Sequence, residues 1–126
     1  MELSPALQQA IEGLYVAFAK YPLNEFTDPC LHCHSLEDEA KLHSKPLRLL
    51  DVEDIRDFAN DSMSVWGDIP ELKHFLPRML ELLAVTNVPT YQFVDPEILL
   101  SKLRYAHWRT WPADEQVSVE HFLHVL

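Results

Sequence analysis

Residues 66–83, WGDIPELKHFLPRMLELL, decide the fold. Leu72, Phe75, Leu76, Met79, Leu80 and Leu83 fall at i, i+3, i+4, i+7, i+8 and i+11, which is one continuous apolar face of a helix. Gly67 and Asp68 read as the stop of a preceding helix and the N-cap of this one. Pro70 sits in the first turn, where its missing N–H is harmless. Pro77 leaves the Lys73 carbonyl without its usual partner, so the spacing predicts a central helix kinked or broken there.

Working outward, the upstream neighbour is a helix opened by Asp51, with Asp54 three residues on and Ile55, Phe58, Ala59, Met63 and Trp66 facing inward. Residues 4–20 form the first helix, capped by Ser4 with Pro5 at its first position and ended before Tyr21-Pro22. A short helix is expected from Ser35 to about His43, and residues 22–34 between the two have neither helical nor strand periodicity. Downstream, residues 86–94 read as a loop. Asp95-Pro96-Glu97 then starts a helix reaching about Trp108, and Thr110-Trp111-Pro112 separates it from a last helix carrying Val119, Phe122, Leu123 and Leu126. The sum is a single all-α domain over residues 1–126, a compact bundle or a short helical-hairpin stack of five to six helices.

Composition narrows the function classes. Two glycines in 126 residues leave little for phosphate-cradling loops. Twenty acidic against ten basic side chains give a net charge of −10, which repels phosphate backbones and argues against nucleic-acid binding. No apolar run approaches a membrane-spanning length, and no basic-then-apolar leader opens the chain, so the expected location is cytoplasmic. No serine-nucleophile elbow, phosphate loop or H-E-x-x-H occurs, and the sequence leans away from an enzyme.

The blocks PC-x-HC, WGD-x5-HFLPRMLELL and PEILLSKLRYAHWRTWP resemble those of a group of uncharacterised bacterial proteins. The resemblance runs over most of the chain from about Cys30 onward. It implies a bacterial origin and an all-helical fold, and it carries over no catalytic residues.

Two stretches are candidates for function. Cys30 and Cys33, in C-x2-C spacing, can turn both sulfurs toward one ion. With His43 as a third ligand and His34 or Asp28 as a fourth they would suit zinc. The competing view is a loop with two reduced thiols, since no second cysteine pair exists. The other stretch is Lys102-to-Trp111, KLRYAHWRTW, where Arg104, Trp108, Arg109 and Trp111 have the composition of a binding surface. The competing view there has the tryptophans filling the joint between the last two helices while the arginines pair with carboxylates. His74 and Arg78 read as part of a solvated face. The leading expectation is a helical module that binds a protein partner or forms a homodimer; zinc binding is the alternative.

Overall fold

The computed structural model describes residues 4–22, 40–61, 69–85 and 92–126, and among these there is no strand. Five α-helices lie among the described residues: α1 Pro5–Phe18, α2 Val52–Asp61, α3 Ile69–Val85, α4 Pro96–Tyr105 and α5 Ala113–Val125. Residues 40–42 are the helical end of the short segment expected before His43. The starts of that segment and of α3, the strand-or-loop stretch at 86–91, Met63, Trp66, Asp28, Cys30, Cys33 and His34 lie outside the described residues.

The N-termini form for local reasons. Ser4 Oγ accepts from the Leu7 amide at 3.1 Å, with Pro5 following it. Asp51 and Asp54 make a reciprocal box: Asp51 N–H donates to the Asp54 carboxylate at 3.1 Å, and Asp54 N–H to the Asp51 carboxylate at 3.4 Å. At α4, Asp95 accepts from Glu97 N–H at 2.8 Å, again beside a first-position proline.

α3 is the centre of the domain. It packs against α1, α2 and the 3-10 turn Leu47–Leu49, while α5 lies along α1 and α4 beside α2. The predicted stripe is buried from Leu72 to Leu80, with Leu83 half-buried, and Phe75 stacks on Phe58 of α2 at 4.8 Å between centroids. Lys73, Pro77 and Leu82 are buried as well, so the covered surface is wider than one stripe. The helix runs on through Pro77 without a break. No helix among the described residues is long and apolar enough to cross a membrane.

One helix position is poorly used. Gly13 lies inside α1, and a Cβ built there meets nothing within 4 Å. Gly13→Ala is therefore expected to raise the unfolding free energy by about 0.5–1 kcal/mol, by restricting the unfolded chain and favouring the helix. A urea titration showing a lower midpoint for the variant would contradict this.

Candidate functional site

The joint between α4 and α5 is built by a left-handed residue. α4 ends at Tyr105 rather than at Trp108 as the sequence suggests, because His107 adopts φ 55° and ψ 49°. That conformation is uncommon for a residue with a Cβ and turns the chain sharply. A 3-10 turn, Trp108–Thr110, follows, closed by Thr110 N–H to the His107 carbonyl at 2.8 Å.

The turn sends the two tryptophans to different places. Trp111 goes inward: it is 6% exposed, its Nε1–H donates to the Ala106 carbonyl at 3.0 Å, and Phe18 meets its ring edge-on at 5.9 Å. Trp108 is half-buried, with the Arg109 guanidinium 4.0 Å above its ring. Arg109 also pairs with Glu120 of α5. Arg104, Tyr105 and His107 face solvent, and Tyr105 is 68% exposed. Ile98, two turns before Tyr105 on the same face, is 41% exposed. From Ile98 to Ala113 there is no acidic residue, whereas Lys102, Arg104 and Arg109 fall inside this stretch. Of the four residues of the expected surface, Arg104 and Arg109 are exposed, Trp108 is half-buried and Trp111 is buried.

Beneath Trp111 is a buried charge cluster joining α1, α3 and α5. Glu115, 0% exposed, lies 2.8 Å from Lys73 Nζ through Oε1, an ion-pair contact without hydrogen-bond alignment. Its Oε2 accepts from the Tyr21 hydroxyl at 2.5 Å and lies 2.8 Å from Lys20 Nζ. Lys73 also donates to the Tyr21 oxygen at 2.9 Å, and its ammonium sits 4.4 Å from the Trp111 ring and 4.7 Å from the Tyr21 ring. Every charge in the cluster has an opposite charge in contact, which is the condition for tolerating burial. Burial by itself pushes the Glu115 carboxyl up, but the contacts with Lys20, Lys73 and Tyr21 outweigh it and hold the group below the ordinary range.

The face of α3 expected to be solvated is covered. Arg78 Nε donates to the Leu50 carbonyl at 2.6 Å and Nη1 to Glu81 at 2.8 Å, while Glu81 accepts from the Tyr15 hydroxyl at 2.6 Å. Arg48 lies 3.8 Å above the Tyr15 ring and forks onto Glu12 at 2.7 and 2.9 Å. Burial, and then Glu81, push the Tyr15 hydroxyl well above its usual pKa. His74 is half-buried and its Nδ1–H donates to the Tyr21 carbonyl at 2.8 Å. Burial lowers its pKa, against the hydrogen bond to Tyr21, and the nearby His43 lowers it further. This face is covered because the chain leaving α1 and the turn Leu47–Leu49 both fold over α3.

These shifts fix a pH dependence. Glu115, Glu12 and Asp54 are all held below their ordinary values: Glu12 by the Arg48 hydrogen bond, Asp54 by Lys45 and the Asp51 amide against the opposing effect of burial. A depressed folded pKa gives stability that is complete above the unfolded value and lost as pH falls through the folded one. His74 acts in the same direction, starting at its ordinary 6.5. The urea midpoint is expected to decline gently below about pH 6.5 and steeply below about pH 4.5. A midpoint that stays constant or rises as the pH is lowered below about 4.5 would show that these carboxylate pairs contribute nothing.

Of the proposed metal ligands, His43 is half-buried and within electrostatic reach of His74. Cys30, Cys33 and His34 lie outside the described residues, and among the described residues no group of three or more His, Cys, Asp or Glu side chains is placed to hold a metal. Comparison with protein-family models, with curated proteins and with solved structures finds no match to this chain. The residues that sequence reading missed are Lys73 and Glu115. A signal existed: Lys73 is in register with Leu76 and Leu80, and Glu115 with Val119 and Phe122, so both charges stand in apolar stripes.

Proposed function

We propose that the chain is a cytoplasmic protein-interaction module whose contact surface is the outer face of α4 and the turn after it. The observation that carries this is Tyr105, 68% exposed beside Arg104, on a stretch free of acidic residues in a chain of net charge −10. Tyr, Trp and Arg dominate binding hot spots because they present large, rigid, partly polar area. Here the surface is backed by buried Trp111 and the ion-pair cluster, so its shape is held before a partner arrives, which lowers the ordering cost of association. The partner it fits is acidic, with an apolar side chain to cover Tyr105.

The test compares affinity capture by the wild-type chain with capture by an Arg104→Glu/Tyr105→Ala variant. Both side chains are exposed, so the variant is expected to keep the wild-type urea midpoint within about 0.5 kcal/mol. Proteins retained by the wild type and lost with the variant support the surface. Identical recovery with both overturns it.

A second reading, zinc binding by Cys30, Cys33 and His43, is favoured by one feature of the fold. Tyr21, just before the Cys/His segment, is bonded to His74 through its carbonyl, and His43, just after it, lies near the same imidazole. An imidazole whose Nδ1–H is held by a backbone carbonyl has its Nε2 lone pair available to a metal. One zinc per chain by native mass spectrometry, lost in Cys30→Ser, supports this reading; no bound metal in the wild-type chain ends it.

A further inference from the structure

The turn between α4 and α5 holds a backbone conformation that its residue disfavours. Among the described residues His107 alone is a non-glycine residue at positive φ, and a side chain with a Cβ is strained there. The turn stays closed through its own short-range bonds. Thr110 donates to the His107 carbonyl from its amide at 2.8 Å and from its hydroxyl at 2.7 Å, and Trp111 N–H donates to the Trp108 carbonyl at 3.2 Å. A short connection under strain favours exchange of the element that follows it between two copies of a chain.

The groups that α5 docks against lie far from it in sequence. Glu115 meets Lys73 of α3 and Lys20 and Tyr21 beyond the end of α1, and Asp114 meets Lys20 at 3.1 Å. Val119 and Phe122 are fully buried where α5 lies along α1. Trp111 belongs to the docked unit as well, since its ring meets Phe18 and the Lys73 ammonium. None of these contacts requires the turn to be closed, and an α5 supplied by another copy would make every one of them. Residues 106–110, once extended, reach about 16 Å, which exceeds the 10–12 Å or so of a helix diameter.

We infer that a second copy of this chain exchanges α5 with the first: the turn at His107 opens, and each α5 docks on α1 and α3 of the other protomer. The surface that receives it is complementary in shape and charge because it is the surface that α5 already occupies within one chain. Opening gives up the bonds of the turn and relieves two left-handed residues per dimer. The docked contacts are the same in both forms, so the turn and the chain concentration set the balance between them. The outer face of α4 takes no part, and the inference goes beyond the reading of that face as a contact surface.

Two variants that fold poorly alone test the exchange when they are mixed. Glu115→Lys and Lys73→Glu each bring like charges together at the buried site, so each alone should lose most of its thermal stability, followed by circular dichroism. Refolded together from urea at high micromolar concentration, they can trade α5. One docking site then regains the native pair, and the other carries the same pair with its charges exchanged. The expected product is a folded 1:1 dimer by native mass spectrometry, with an unfolding midpoint above that of either chain alone. A mixture that behaves as the sum of its parts would overturn the exchange. The full wild-type chain, measured by sedimentation equilibrium from low to high micromolar concentration, should approach the dimer mass. His107→Gly relaxes the closed turn and should weaken the dimer by roughly tenfold or more, while His107→Ala, which removes the imidazole and keeps the strain, should leave it close to wild type. A wild type monomeric at every concentration, or a His107→Gly chain that dimerises as well as the wild type, would overturn the proposal. Arg104→Glu/Tyr105→Ala should dimerise normally; loss of the dimer there would assign it to the α4 face instead.

Discussion

Replacing Glu115 by Ala is expected to lower the unfolding free energy by about 3–5 kcal/mol, the usual cost of removing one partner of a buried pair. The reason lies with the groups left behind. Lys73 is 7% exposed and would be left with only the Tyr21 oxygen and two aromatic rings for company. Tyr21 would lose the acceptor of its hydroxyl, and Lys20 its contact with Glu115. A domain of this size has a total stability of roughly 6–19 kcal/mol, so the loss is a large share of it. The double variant Lys73→Met/Glu115→Leu is expected to lose much less, since apolar side chains of similar volume often replace a buried pair at little cost. Urea unfolding of wild type, both singles and the double completes the cycle. Equal losses in the single and double variants would mean that the two residues act through packing rather than through their charges.

Trp111→Ala is expected to cost about 3–5 kcal/mol, as truncations of buried aromatics do. The ring closes the joint between α4 and α5, meets Phe18 of α1 and forms one wall around the Lys73 ammonium. Trp111→Phe keeps much of that wall but leaves the Ala106 carbonyl without its side-chain donor, so it should fall between wild type and Ala. Tyr105→Ala, on the outside, should change the urea midpoint little. Thermal and urea unfolding of the three variants separate the two roles: comparable destabilisation by Trp111→Ala and Tyr105→Ala would remove the division into support and contact surface.

The two candidate stretches differ in how far local pattern carried. In the 102–111 run, composition allowed either a binding surface or a packed joint, and the structure leaves Arg104 and Arg109 exposed, Trp108 half-buried and Trp111 buried. What composition could not decide was the direction of each tryptophan. That depends on His107 taking a left-handed conformation, in a turn whose residues contain no glycine to announce it. His74 and Arg78 were misread for a related reason. A polar side chain at helical spacing looks solvated unless one knows what folds over it, and here the covering groups are the Tyr21 and Leu50 carbonyls.

The sequence by itself determined the all-α class, the beginnings of α1, α2 and α4, and the buried face of α3. These depend on interactions within a few residues: a Ser4, Asp51 or Asp95 cap acts on amides two or three positions away, and the 72–80 stripe is a property of one helix. Only the tertiary structure decided where α4 stops, that Trp111 is buried while Trp108 is half-buried, and that Lys73 and Glu115 share a buried site with Tyr21. Tyr21 and Glu115 are 94 positions apart, and nothing local to either names the other. A lone buried charge is too costly to keep, so such a cluster exists only once three helices have brought its members into contact.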